Sequence, residues 1–195
     1  MDRLPKLAPG KLDHAQAELY EAITGGVRFK SGPGIDMMEK SGALRGPFNA
    51  WLHTPETGGA AQTLGVKLRF ESSLSGAMRE TAILTVAKHW RSQYEWWAHE
   101  QIALKEGMTP DEIAAIKRGE APSGNPDLGI IQGFVAELMQ TGDVSDETYA
   151  GTLSLVGVRG MADLVTLAGY YAMISANLNV FRVSVPEGEE EPFKD

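Results

Sequence analysis

The residues able to move a proton cluster in the middle of the chain. His99 follows Glu95 by four residues, so on a helix the two side chains share a face. A carboxylate at that spacing can fix the tautomer of an imidazole and raise its basicity, as general acid–base catalysis requires. Glu95 has a competing reading. Ser92-Gln93-Tyr94-Glu95 has the spacing of a capping box, in which Glu95 bonds the backbone at the start of its own helix. Glu80 is the second carboxylate. It shares a face with Ile83 and Ala87, and a carboxylate on an apolar stripe must be paired or shifted toward the proton-transfer range. Its bland alternative is to complement the positive end of its helix. His53 and Asn49 interleave with Phe48 and Trp51 in GPFNAWLHTPE, a mixture that suits a pocket wall or a packed loop around Thr54. Tyr94 and Ser92 supply hydroxyl donors for a developing oxyanion. His14 lacks comparable neighbours, and His89 ends a helix, where a cation meets the dipole favourably.

Other chemistries lack their residues. The chain of 195 residues has no cysteine, so disulfides, zinc–thiolate sites and thiol nucleophiles are excluded. Glu95 and His99 offer two metal ligands but no further pair completes a site, and no metal is expected. No glycine-rich phosphate loop, Walker pattern or G-x-S-x-G elbow is present, so no cofactor is expected. Lys and Arg total 18 against 26 Asp and Glu, a net charge of −8, which argues against a nucleic-acid or anionic-membrane partner. No run of about eighteen apolar residues occurs and the start lacks a signal-peptide core, so the expectation is a cytoplasmic protein without a membrane partner.

The elements that must position these residues read as helices throughout. Gly, Pro and short polar residues punctuate helices over 13–24, 55–70, 76–90, 93–106, 110–118, 126–141, 146–156 and 160–181. Thr109-Pro110-Asp111-Glu112 is a second capping box, and residues 30–47 read as a loop. The fold class is all-α, a single domain over 1–185, with the acidic stretch 186–195 expected to be a disordered tail. A short turn at Arg91 predicts an αα-hairpin. Glu80 lies about ten residues before that turn and His99 about eight after it, so antiparallel packing brings them level. The apolar 160–181 helix and the Trp96/Trp97 pair offer more apolar surface than one compact monomer covers, which predicts a homo-oligomer.

The stretch RETAILTVAKHWRSQYEWWAHEQIALKEGMTPDEIAAI resembles the core motif of the carboxymuconolactone decarboxylase family, which includes the AhpD-type alkylhydroperoxidases. The preceding GPFNAWLHTPETGGAAQTLGVKLRFESSLSG resembles a subgroup of the same family, so the likeness covers residues 44–118. Glu80 and His99 match the family glutamate and histidine. Ser92 and Glu95 stand where the peroxidase branch has its two cysteines, and disulfide cycling needs both thiols. The resemblance therefore implies an all-helical AhpD-like bundle of the thiol-free, decarboxylase-like branch, forming dimers, trimers or hexamers. It further implies cofactor-free loss of CO₂ from a small unsaturated lactone acid of aromatic catabolism, with Glu80 and His99 as the acid–base pair. Isomerisation, lactone opening or a non-catalytic role on the same fold remain alternatives. A substrate carboxylate calls for an arginine, and Arg45, Arg69, Arg79 and Arg91 are equal candidates.

Overall fold

Caps and breakers in the sequence decide where each helix starts and stops. The computed structural model describes residues 2–30 and 36–194. Among them lie α1 (His14–Thr24), α2 (Val27–Lys30), α3 (Pro47–Leu52), α4 (Pro55–Phe70), α5 (Gly76–His89), α6 (Gln93–Lys105), α7 (Pro110–Arg118), α8 (Pro126–Thr141) and α9 (Asp146–Val180). The β pairing among the described residues is one isolated antiparallel bridge, Met38 to Leu44. The all-α expectation is met. Ser75, Asn125 and Ser145 accept backbone N–H groups as caps of α5, α8 and α9. Pro55, Pro110 and Pro126 open α4, α7 and α8, where a missing N–H has no consequence. α9 is broken at Gly157 (φ 67°, ψ 179°), which separates the two helices expected there.

Two short helices depart from the expected loop. α2 begins just before it, and α3 forms inside GPFNAWLHTPE with all six residues buried. A helix this short does not hold on propensity, so tertiary burial stabilises it. Residues 36–46 are non-helical as expected, and 31–35 lie outside the described residues.

α5 is the central element. Glu80 through Ala87 are buried without interruption, and a helix covered all round must sit inside the bundle. It packs against α6, α7, α8 and α9. The α5–α6 hairpin turns at Arg91, whose φ of 48° is left-handed. The N–H groups of Arg91 and Ser92 close the turn on Lys88 and Ala87 carbonyls. The main core joins α1, α3, α4, α5, α6, α8 and α9, and a smaller one gathers Trp96, Leu84, Ile113, Ile116 and Leu128. α9 has the length and mean hydropathy, 1.2 in its best window, to cross a bilayer. That hydropathy divides between core residues such as Leu164, Tyr171 and Leu178 and an exposed row of Val158, Val165, Met173 and Val180.

Both ends of the chain are tied down. Arg3 N–H donates to Phe181 O at 2.8 Å, and the Ser184 hydroxyl donates to Asp2 Oδ1 at 2.8 Å. The acidic segment after Pro186, expected to be disordered, instead straps α6. Phe193 stands edge-on to Trp96 at 5.3 Å, its backbone pairs twice with the Gln93 side chain, and Trp97 donates to Glu189. Its charges are carried at the surface while one aromatic ring anchors it.

Candidate functional site

The hairpin delivers what its spacing predicts. His99 Nδ1 lies 2.6 Å from Glu80 Oε2, and His99 Nε2 lies 3.1 Å from Glu95 Oε1. All three side chains are buried, Glu80 to 1 % exposure. A histidine hydrogen-bonded to one carboxylate at Nδ1 and 3.1 Å from a second at Nε2 favours the imidazolium, the form in which both nitrogens carry a proton. Burial works against that charge, but the two carboxylates outweigh it and hold the His99 pKa up at about 9. The ring stands edge-on to Tyr171 at 5.1 Å, which leaves little freedom to rotate away.

Glu95 does not cap its helix. Ser92 begins α6 without a side-chain cap bond, and the Glu95 carboxylate is spent on His99. The two roles weighed in the sequence are thus separated by geometry. Ser92 itself is fully buried at the hinge, its hydroxyl has no partner, and it does not reach the cavity. It therefore cannot be a substrate donor in this arrangement, contrary to expectation.

A cavity opens in front of the imidazolium. The space free of protein atoms in it and at its open, solvent-filled mouth comes to about 510 Å³, with the narrow inner part a small share of that. Glu95, His99 and Tyr94 line it from α6, Phe48 and Trp51 from α3, Arg69 from α4, Tyr170 and Tyr171 from α9, and Arg28 and Met37 from the covering segment. Glu80 lies behind His99 and is not part of the wall. Of the residues expected as pocket lining, Trp51 and Tyr94 are there. Asn49 and His53 are not. Asn49 bonds Leu7 N and Pro5 O, and His53 Nε2 lies 3.0 Å from the same Pro5 carbonyl. Their polar groups anchor the N-terminal segment onto α3, a need invisible before the fold is known.

Local backbone makes room for the wall. Gly46 precedes α3 at φ 61°, and a Cβ there would come within 2.6 Å of the Tyr94 ring. Burial raises the Tyr94 phenol well above its usual range, with Glu95 adding to the effect and Arg45 opposing it. Tyr171 is raised the same way, opposed by Arg28 and Arg69. Both phenols stay protonated and can only donate or accept as neutral groups.

The arginines also sort. Arg45 bonds Met38 O and sits 3.8 Å from Asp36, Arg79 bonds Leu74 O, and Arg91 lies over the Phe193 ring. Arg69 alone of the four faces the cavity, where its Nη1 is 3.8 Å from Glu80 Oε1. Arg28, Tyr170 and Met37 line the cavity without a signal in the sequence pattern. Tyr170 lies in the apolar run read as core, and Arg28 sits in a helix the pattern did not announce. Among the described residues no cluster of three or more metal-ligating side chains occurs with metal-site geometry.

Residues 55–127 match the model of the carboxymuconolactone decarboxylase family. The matched span contains Arg69, Glu80, Tyr94, Glu95 and His99 and supports the family suspected from the motif. No curated protein matches the chain.

Proposed function

We propose that the protein is a cofactor-free lyase that removes CO₂ from a small unsaturated lactone or carboxylic acid by proton transfer from His99. The observation that carries this reading is a doubly paired imidazolium at the wall of an aromatic cavity. Cleavage of the C–COO⁻ bond leaves its electron pair on the substrate as a dienolate. The dienolate carbon takes the Nε2 proton of His99, and neutral imidazole regains it from solvent through Glu95, the carboxylate that lines the cavity. Tyr94 and Arg69 face the developing oxyanion. Glu80, behind the ring, is a positioning residue that keeps His99 charged and in place. The same parts serve an isomerase that returns the proton to a different carbon of a related acid.

The test incubates the protein with β,γ-unsaturated lactone acids and follows ultraviolet absorbance, with deuterium incorporation from D₂O read by NMR. His99→Asn should abolish both signals while circular dichroism stays unchanged. Glu80→Gln should lower turnover and move the alkaline limb of the pH profile to lower pH, which a purely structural role does not do. Deuterium incorporation by folded His99→Asn at the wild-type rate refutes the reading. The expected homo-oligomer is a second proposal, supported by the exposed α9 row of Val158, Val165, Met173 and Val180. A monomer by light scattering at micromolar concentration sinks it.

A further inference from the structure

We propose that the outer face of α6, together with Lys117 of α7, is a groove for an acidic peptide that carries a phenylalanine, and that the chain's own segment 186–194 fills it and thereby holds Tyr94, Glu95 and His99 in place on the inner face. This goes beyond the function proposed above and rests on it only where turnover is measured.

α6 has two faces in use. Tyr94, Glu95, Ala98, His99 and Ile102 line the cavity. Gln93, Trp96, Trp97 and Glu100 recur at i, i+3, i+4 and i+7, so they form a second stripe, and the acidic segment runs along it.

The groove reads backbone, ring and charge separately. Gln93 Nε2 donates to Phe193 O at 2.7 Å, and Gln93 Oε1 accepts the Phe193 N–H at 2.9 Å. An amide pairs in this way with the backbone of any residue that keeps its N–H, so these bonds fix the position of the peptide and not its sequence. The ring supplies selection. Phe193 stands edge-on to Trp96 at 5.3 Å, with Lys117 Nζ 5.9 Å and the Arg91 guanidinium 5.8 Å from its centre. Trp97 Nε1 donates to Glu189 Oε2 at 3.1 Å and holds one acidic residue. A turn aims the segment back onto the helix: Glu189 N–H donates to Pro186 O at 3.1 Å, with Gly188 at φ 90°. Between Glu189 and Phe193 the segment arches over an open hollow lined by Glu100 and Lys117, so its two ends carry the docking and Phe193 is the main anchor.

α6 needs this hold because its own start is weakly secured. Ser92 gives no side-chain cap, its N–H is closed on Ala87 O at 3.0 Å, and the Glu95 carboxylate is turned to His99. Gln93 belongs to that first turn, so the segment grips the helix where capping is missing. Trp97 carries the hold across the helix. Its indole N–H bonds Glu189 on the outside, and its ring lies 5.4 Å from that of Tyr94, which lines the cavity. Release of the segment therefore loosens Tyr94 and the Glu95–His99 contact together.

The experiment compares full-chain Phe193→Ala and Phe193→Tyr with the wild type by tryptophan emission, limited proteolysis within 186–192 and NMR titration of His99. Phe193→Ala should shift emission to the red and speed cleavage about tenfold. It should also bring the His99 midpoint down from about 9. Phe193→Tyr keeps the ring and should restore all three. A segment docked in cis acts at an effective concentration of about 1 mM, so a free peptide of residues 186–194 at about 10 mM should refill the groove of Phe193→Ala. The same peptide with alanine for phenylalanine should not. Emission and cleavage unchanged in Phe193→Ala, or no response to the peptide, overturns the groove. An emptied groove with the His99 midpoint unchanged overturns its hold on the site. If Phe193→Ala does not fold, Gln93→Met, which removes both backbone bonds and keeps the stem, takes its place with the same outcomes. Absence of turnover on every lactone acid, with the peptide and His99 responses present, supports the groove and defeats only the proton-transfer reading.

Discussion

Ser92 and Thr109 begin two successive helices with the same hydroxyl-x-x-glutamate spacing, and the two starts behave oppositely. At Thr109 the box closes: Glu112 Oε2 accepts the Thr109 N–H at 2.8 Å, and the Thr109 hydroxyl accepts the Glu112 N–H at 3.3 Å. At Ser92 neither bond forms, and Glu95 turns away to His99. The difference lies one helical turn further on. Glu112 is followed at i+4 by Ile116, a core residue with nothing to offer a carboxylate, whereas Glu95 is followed by an imidazole. A buried cation competes better for a carboxylate than a backbone N–H does, because it adds the attraction of two full opposite charges in a low-dielectric site to a contact that the carboxylate's charge assists in either case. An identical local pattern therefore yields a structural clamp in one place and a chemical group in the other.

Three experiments break or sharpen that contrast. The largest effect is expected from Glu95→Gln, which should lower turnover by about 10²–10⁴-fold, the usual weight of one acid–base group. Glu112→Gln should leave turnover unchanged, because an amide still completes a capping box. Equal effects in steady-state kinetics would erase the distinction.

Next in size is the response of stability to pH. The His99 pKa is raised from 6.5 to about 9 in the fold, so the folded state keeps a proton the unfolded chain gives up first. The stability this contributes is complete below pH 6.5 and is lost as pH climbs through about 9. Thermal melts between pH 7 and 10 should show Tm falling by roughly 5 °C, and His99→Asn should flatten that slope.

The smallest effect separates the two hydroxyls. Thr109→Ala should cost about 1 kcal/mol, a loss of a working cap. Ser92→Ala removes a buried hydroxyl without a partner and should cost close to nothing by chemical denaturation, since no cap bond is there to lose.

The contrast also explains what was legible in advance. Helix boundaries were, because Pro110, Pro126, Ser75 and Ser145 act on their own next few residues and need no tertiary information. The meeting of Glu80 with His99 was legible too, since a tight turn at Arg91 fixes an antiparallel hairpin and its register. Choices that depend on distant chain were not. Asn49 and His53 look like pocket residues until Pro5 arrives to claim them. Arg69 looks like three other arginines until α4 is laid against α1, α3 and α9. The acidic tail reads as solvated until Phe193 finds Trp96, a contact spanning nearly a hundred residues. In each case the deciding partner is remote in sequence.

The clasp between Asp2 or Arg3 and the Phe181–Ser184 stretch makes the chain from Asp2 to Ser184 a nearly closed ring. Where a ring is cut is a matter of synthesis rather than of architecture. Joining Ser184 to Asp2 by a short linker and opening the exposed bend at Gly142–Asp143 would leave the α4–α5–α6 run, and with it most of the cavity wall, uninterrupted. Such a permuted chain would emerge from the ribosome with α9 first. The order in which its helices assemble would change, while the geometry around His99 would be asked to stay the same.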